Sequence, residues 1–132
     1  YRNTWYWSSA SGLVDGIPFG LNLGCGFGDS SAATENALFY DGKVHKLGNV
    51  RFRIPGNETD FLSPWRIYTT DGRFTAVFHP LLDRASNTQI GPLGSDQHQV
   101  FGHFIGRAVL DDGQTIRLDR LFGFAEKVRN KW

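Results

Sequence analysis

Four Asp-Gly pairs constrain the fold of this chain more than any other feature of its sequence. They are Asp15-Gly16, Asp41-Gly42, Asp71-Gly72 and Asp112-Gly113. Asp-Gly suits the two central positions of a type I′ turn, where both residues take a positive φ. A run of residues typical of a β-strand lies on each side of every pair. The four pairs therefore predict four β-hairpins, and so about eight strands.

The segments between the turns give the expected strands and loops. The first three hairpins are predicted to pair Thr4–Leu13 with Ile17–Cys25, Ala37–Tyr40 with Lys43–Leu47, and Trp65–Thr70 with Arg73–His79. A short strand is expected at Val50–Ile54, and the fourth and longest hairpin surrounds Asp112-Gly113. The segments Pro55–Pro64 and Pro80–Gly94 are predicted to be loops. No stretch has the pattern of a long amphipathic helix.

Apolar residues alternate with small or polar ones along the predicted strands, which indicates one buried face per strand. In the second strand the apolar set is Ile17, Phe19, Leu21, Leu23 and Cys25. In the fourth hairpin, one strand presents Val100, Gly102, Phe104, Gly106, Ala108 and Leu110 on a single face. Its return strand is expected to present Ile116, Leu118, Phe122 and Phe124 together.

Consecutive hairpins without crossover helices indicate an antiparallel meander. Glycines within long strands are typical of bends in a curved sheet, and closure into a barrel removes exposed edges. We therefore predict a single all-β domain over residues 1–132. Its architecture is expected to be an up-and-down, lipocalin-like barrel or a strongly curved sheet of about eight to ten strands.

Composition excludes several classes of protein. With 14 basic and 13 acidic side chains and no long run of either sign, the chain lacks the basic patch of a nucleic-acid binder. The single cysteine, Cys25, permits no internal disulfide and no Cys-type zinc site, which fits a cytoplasmic protein. No apolar run reaches the roughly 20 residues that a transmembrane helix needs.

The chain contains no methionine, even at position 1, and begins with residues typical of a strand. We therefore expect it to be a fragment or a processed chain that has lost an N-terminal part. That missing part is the first partner to consider.

Two carboxylates are candidate catalytic residues. Glu35, beside the amide of Asn36, is suited to protonate or orient a substrate at a barrel mouth. The alternative is that Glu35 binds loop amides at the start of a strand. Glu126 is in phase with Phe122 and Phe124 and is predicted to point toward the core. A structural ion pair with an arginine, or exposure at a strand end, is the alternative for Glu126.

Five residues are candidate ligand-binding positions: Asn22, Asn36, Trp65, Gln99 and His103. Asn22 lies between Gly20 and Gly24, so its strand face has room for a ligand. That room also suits bulky side chains from another strand. Trp65 is suited to line an apolar pocket, although such aromatic residues are more often part of a core.

No metal site or cofactor site is predicted. The four histidines are scattered along the chain without the spacing of metal ligands. The glycine run Gly24–Gly28 is followed by a polar loop and a strand, whereas a nucleotide-binding loop leads into a helix. Cys25 has no nearby histidine and lies in an apolar phase, which argues against a nucleophile.

An ordered set of short motifs resembles a known family. The motifs are Trp5-Tyr6-Trp7-Ser8, Phe19-Gly20-Leu21-Asn22-Leu23-Gly24, Thr34-Glu35-Asn36-Ala37-Leu38-Phe39, Asp41-Gly42-Lys43-Val44-His45-Lys46-Leu47, Gln99-Val100-Phe101-Gly102 and Gly123-Phe124-Ala125-Glu126. In this order they resemble the C-terminal half of bacterial proteins grouped as domain of unknown function 2804. That family is similar in fold to a two-barrel, lipocalin-like group that includes AttH and the carotenoid 1,2-hydratases.

The resemblance implies one barrel of a two-barrel protein, and it leaves three functions open. The first is a barrel that binds an apolar or amphipathic small molecule, such as a lipid or a terpenoid. The second is a hydratase- or isomerase-like enzyme with its site between two barrels, which rests on analogy of fold. The third is a structural half-domain whose partner is the missing N-terminal half, or a second copy of the chain.

Overall fold

A computed structural model describes residues 2–26, 36–90 and 93–131. It contains nine strands: β1 (Arg2–Val14), β2 (Ile17–Gly26), β3 (Ala37–Tyr40), β4 (Lys43–Lys46), β5 (Val50–Arg53), β6 (Trp65–Thr69), β7 (Phe74–Ile90), β8 (Leu93–Val109) and β9 (Thr115–Lys131). A short turn with left-handed residues, labelled α1 (Pro55–Glu58), lies between β5 and β6. No helix in these ranges is long and apolar enough to cross a membrane.

All nine strands form one antiparallel sheet in the order β4-β3-β2-β1-β9-β8-β7-β6-β5. Among the strands that the structure describes, only β1 and β9 pair while distant in sequence, and this pairing links two meanders, β1–β4 and β5–β9. The sheet curls into a half-barrel, which confirms the predicted all-β class and the strongly curved antiparallel sheet. Since strands alternate in direction, the four Asp-Gly turns lie at one end, and α1 lies at the other.

The core fills the concave face of the curled sheet. It draws on both flanks of the sheet, with Leu21 and Leu38 from one side and Phe52 and Ile67 from the other. The ring of Tyr6 on β1 stacks on that of Phe52 on β5, with centroids 5.5 Å apart. Curling therefore brings together strands that are far apart in the order of the sheet.

The Asp-Gly pairs form two kinds of turn. Asp15 and Asp41 have φ values of 51° and 50°, and the glycine after each has 79°, which confirms the type I′ prediction there. In the other two pairs only Gly72 and Gly113 are left-handed, and each donates its N–H to the carbonyl three residues earlier. These are turns closed by a left-handed glycine, so the type I′ prediction is wrong for them.

Local hydrogen bonds explain the second kind of turn. The Asp71 carboxylate accepts from the Thr69 hydroxyl at 2.6 Å and from the Arg73 N–H at 3.1 Å. Asp112 accepts the N–H of Gln114 in the same way, at 2.9 Å. An aspartate that binds the backbone two residues later stabilises a right-handed turn at its own position.

The segment Pro80–Gly94 was predicted to be a loop, and this prediction is wrong. Strands β7 and β8 are each 17 residues long and pair from Phe74↔Ala108 to Ile90↔Leu93. Pro80 is tolerated because β6 pairs with β7 only as far as Phe78, so within the described ranges no strand lies where its missing N–H would donate. A bulge between Pro80 and Leu82 absorbs the irregularity.

A second bulge changes which residues of β9 face the core. The register shifts from Gly106↔Leu118 to Phe104↔Leu121, and Arg120 takes a φ of 56°. After the bulge, Leu121 is buried, whereas Phe122 is 52% exposed. The expected face containing Phe122 and Phe124 is therefore wrong, because both residues lie on the outer face of the sheet.

Three glycines allow close approach of neighbouring strands. A Cβ on Gly106 would collide with the carbonyl oxygen of Thr75 and with the backbone of Ala76. A Cβ on Gly102 would meet His79, and one on Gly123 would meet Ser9 and Ala10. The close approach of neighbouring strands at these three positions therefore requires glycine.

We expect Gly106→Ala to lower the free energy of unfolding by about 2 kcal/mol, because the methyl group must push a neighbouring backbone away. The control is Gly20→Ala, whose added Cβ would find its nearest atom at an ordinary 3.5 Å. Urea unfolding monitored by circular dichroism measures both variants. Equal stability of the two would contradict the role assigned to Gly106.

Candidate functional site

Four reactive or polar side chains form a row across the concave face, near the end that carries α1. The row is Cys25 on β2, Tyr6 on β1, Lys127 on β9 and His98 on β8, each paired in register with the next. Paired residues of antiparallel strands lie about 4.5–5.5 Å apart. We call these four residues the mouth row.

Glu58, the last residue of α1, reaches over the mouth row. The Tyr6 hydroxyl lies 3.0 Å from both Glu58 carboxylate oxygens. Nζ of Lys127 lies 3.4 Å from Oε2 of Glu58 and donates to the Glu58 carbonyl at 3.3 Å. The same ammonium sits 5.6 Å from the centroid of the Tyr6 ring. Tyr6, Glu58 and Lys127 thus form one polar cluster.

The backbone that presents Glu58 is strained. Gly56, Asn57 and Glu58 have φ values of 65°, 55° and 66° in succession. Glycine and asparagine tolerate the left-handed region, but glutamate in that region costs roughly 1–2 kcal/mol. Strain of this kind persists where surrounding contacts hold it, and it clusters at ligand sites.

A pocket of about 440 Å³, which we call the mouth pocket, opens beside this cluster. It lies between α1 and the ends of β1, β2 and β9. Its remaining lining residues are Thr4, Cys25, Gly26, Asn57 and Arg129. Lys127 and Arg129 contribute two positive charges to the lining, and Glu58 contributes one negative charge. The pocket is therefore polar and slightly electropositive.

Burial decides the protonation state of two pocket residues. Burial, and after it the hydrogen bond to Glu58, hold the pKa of Tyr6 far above its ordinary value of 10.0. Burial also raises the pKa of the Cys25 thiol above 9.0. At neutral pH, Tyr6 is therefore a hydroxyl donor, and Cys25 is a thiol with little nucleophilic character.

His98 ends the mouth row and pairs with a carboxylate. Its Nδ1 lies 2.9 Å from Oδ2 of Asp83, and its ring stacks on Phe61 with centroids 3.7 Å apart. The other oxygen of Asp83 is buried and finds no hydrogen-bond partner within the described ranges. An oriented imidazole of this kind can accept or release a proton. No group of three potential metal ligands occurs among the residues that the structure describes.

The two predicted catalytic carboxylates do not meet in this site. Glu35 lies outside the described residues. Glu126 is buried, but on the outer face, where it accepts a hydrogen bond from Nε1 of Trp7 at 2.7 Å and another from Gln97. The prediction that Glu126 points toward the core is wrong, because the β9 bulge reverses the faces.

Three predicted ligand-binding residues also lie on the outer face. Gln99 is opposite Glu126, and the His103 ring meets that of Phe122 edge to face, with centroids 5.7 Å apart. Asn22 lines a separate groove of about 570 Å³ over β1 and β2, with Phe39 at its border. The space predicted beside Asn22 therefore exists, whereas its binding of a ligand stays a prediction.

The remaining two predicted residues are buried. Oδ1 of Asn36 accepts the N–H of Gly24 at 2.7 Å, and its Nδ2 donates to the Gly48 carbonyl at 3.0 Å. Trp65 is fully buried, and its Nε1 donates to the Phe61 carbonyl at 3.0 Å. Both side chains are engaged in holding the fold, and their ligand-binding role stays a prediction.

Sequence reasoning missed Tyr6, Glu58 and Lys127. Lys127 lies on the same face of β9 as the buried Ala125, and this spacing could have identified it as an inward-facing residue. The bulge in β9 made the inward face impossible to assign from alternation alone. The Gly56-Asn57 pair before Glu58 is a turn signal and says nothing of the contact with Tyr6. These residues meet only through the fold.

These features define an all-β domain with a polar pocket at one end of a half-barrel. The family model described as "Domain of unknown function (DUF2804)" matches residues 1–132, so the chain belongs to that family. This finding confirms the family that the motifs indicated, whereas the similarity in fold to AttH and the carotenoid 1,2-hydratases stays a prediction. No curated protein and no solved structure matches the chain.

The raised pKa of Tyr6 predicts a loss of stability at high pH. As the pH rises above 10.0, unfolded Tyr6 ionises while folded Tyr6 keeps its proton, so the free energy of unfolding falls until the folded pKa is passed. We expect this fall to be steeper in the wild type than in Tyr6→Phe. Urea unfolding at a series of pH values measures it, and parallel curves would contradict the prediction.

Proposed function

We propose that this domain binds a small amphipathic molecule, such as a lipid or a terpenoid, with its polar group in the mouth pocket. The observation that carries the proposal is the pocket of about 440 Å³ in which Tyr6 and Lys127 meet above the core. Pockets of this size, with a few convergent polar groups, are typical of small-molecule sites.

The packing of the core supports an amphipathic ligand over a wholly apolar one. Trp65, Phe74, Phe78 and Phe104 are fully buried and occupy the centre of the half-barrel. The pocket lies at the margin of this core, where the Tyr6 ring gives an apolar surface beside its hydroxyl. A ligand there contacts both polar and apolar groups.

The kinship to lipocalin-like proteins inferred from the motifs is the ground for naming lipids and terpenoids. It is an analogy of fold, and the chemistry of the pocket supports it only as far as an amphipathic ligand. Hydration or isomerisation of such a ligand between two barrels remains an alternative on the same analogy.

We expect Thr4→Trp to abolish ligand retention, because an indole placed at Thr4 fills the pocket that Thr4 lines. The control is Thr115→Trp, at the exposed start of β9 and the opposite end of the half-barrel. Native mass spectrometry of protein purified gently from its own host measures the retained mass. A ligand retained by Thr4→Trp would contradict this location, and a bare wild type would favour the second candidate.

The second candidate is a structural half-domain that docks through its outer face. Exposed apolar side chains lie along neighbouring strands there: Trp7 (43%), Leu82 (55%), Ile105 (40%) and Phe122 (52%). Phe101 and Phe124 join them through ring contacts, with Phe101 6.3 Å from Phe122 and Phe124 4.8 Å from Trp7. We call this set the outer aromatic band.

A continuous apolar band of this kind is typical of an interaction surface. The partner that fits it is another β-domain, and the family resemblance suggests an N-terminal half of the same protein. When that half is absent, the band is free to pair with the same band on a second copy.

We expect the 132-residue chain to self-associate at raised concentration, and Phe122→Ser to weaken that association about tenfold, since an aromatic contact is lost. The control is Leu62→Ser, which removes a side chain of similar exposure, 61%, from the segment between α1 and β6. Sedimentation equilibrium measures both variants. A strictly monomeric wild type would contradict docking through this band.

A further inference from the structure

Glu58 is held by two donors that belong to the sheet. The Tyr6 hydroxyl and the Lys127 ammonium converge on its carboxylate, at 3.0 and 3.4 Å. A hydroxyl and an ammonium aimed at one point are suited to bind a carboxylate, whichever molecule supplies it.

The two sides of this contact differ in burial. The Lys127 side chain is 7% exposed, whereas that of Glu58 is 44% exposed. A buried ammonium is costly without an anion or a hydrogen-bond acceptor. Within the described chain, Glu58 supplies both acceptors of Lys127, the carboxylate and the backbone carbonyl. If Glu58 moved away, the buried ammonium of Lys127 would still require an anion or another acceptor.

Withdrawal of Glu58 is also easier than withdrawal of a strand residue. Glu58 ends the four-residue turn α1 and holds a φ of 66°, and this strain would be released if the turn relaxed. Tyr6 and Lys127 are fixed by the ladders on both sides of β1 and β9. A ligand with its own carboxylate can therefore replace Glu58 without disturbing the sheet.

We infer that the mouth pocket is a carboxylate site and that Glu58 occupies the place of the ligand's carboxylate. This inference rests on the function proposed above and narrows its ligand to a small organic acid with an apolar tail. Arg129, which also lines the pocket, adds positive charge next to the incoming acid. The acid displaces Glu58, and Tyr6 and Lys127 bind the acid in its stead.

In this arrangement the Glu58 carboxylate competes with the acid for Tyr6 and Lys127. The apparent affinity for an acid is the intrinsic affinity reduced by the fraction of molecules in which Glu58 has left. Removing the charge of Glu58 raises that fraction, so acids bind more tightly. A neutral ligand of the same length does not compete for the two donors in this way.

The test uses octanoate and octanol as probes of equal chain length. Binding is measured from backbone amide shifts of the folded chain in NMR titrations. We expect Glu58→Gln to bind octanoate about tenfold more tightly than the wild type, with octanol unchanged. Lys127→Gln is expected to lose octanoate binding.

The matched control is Asp60→Asn. Asp60 is an exposed carboxylate two residues from Glu58, and its oxygens bind Ser63 at 3.2 and 2.6 Å. The substitution removes the same charge from the same segment without touching Tyr6 or Lys127. We expect it to leave octanoate affinity within about twofold of the wild type, because Asp60 does not line the pocket and its exposed charge is screened by salt.

Each other outcome overturns a distinct statement. If both probes bind in the pocket and Glu58→Gln changes neither affinity, or weakens octanoate binding, the carboxylate inference is wrong and the amphipathic site stands. If Asp60→Asn raises octanoate affinity as much as Glu58→Gln, general charge and not displacement is the cause. If neither probe shifts residues of the pocket in any variant, the proposed binding function fails as well.

Discussion

The pairing of β1 with β9 is the interaction on which the rest of the structure depends. It places Arg2–Ala10 against Gly123–Lys131 and joins two meanders into one sheet. Because the joined sheet can curl, Tyr6 reaches Phe52 across the concave face, and a single core forms. The same pairing sets Tyr6 opposite Lys127, so the fold and the mouth pocket share one cause.

Features fixed by local chemistry were predictable from the sequence. Asp-Gly located four hairpins correctly, and alternation located the buried faces of β2 and β8. The bulge in β9 was not predictable from the sequence. Arg120 takes a left-handed conformation there, which arginine rarely adopts. The cluster of Tyr6, Glu58 and Lys127 depends on long-range register and on a strained turn, neither of which a local pattern reports.

Neighbouring residues of β9 serve opposite surfaces. Glu126 turns outward to Trp7, and Lys127 turns inward to Glu58. A shift of β9 by one residue against β1 would exchange the two and set the Glu126 carboxylate against that of Glu58. Repulsion between like charges would oppose this exchange. The adjacent opposite charges therefore help to specify the register on which the core depends.

Among the described residues, no strand pairs with the β6 side of β7 beyond Phe78, and this has a consequence for solubility. A long strand with unpaired backbone groups is a template for the addition of strands from other molecules, and so for fibril growth. Here Pro80 removes one donor, the bulge at Leu81 breaks the regular spacing, and the exposed Arg84 adds charge. These three features oppose the pairing of this strand edge with the same edge of another molecule.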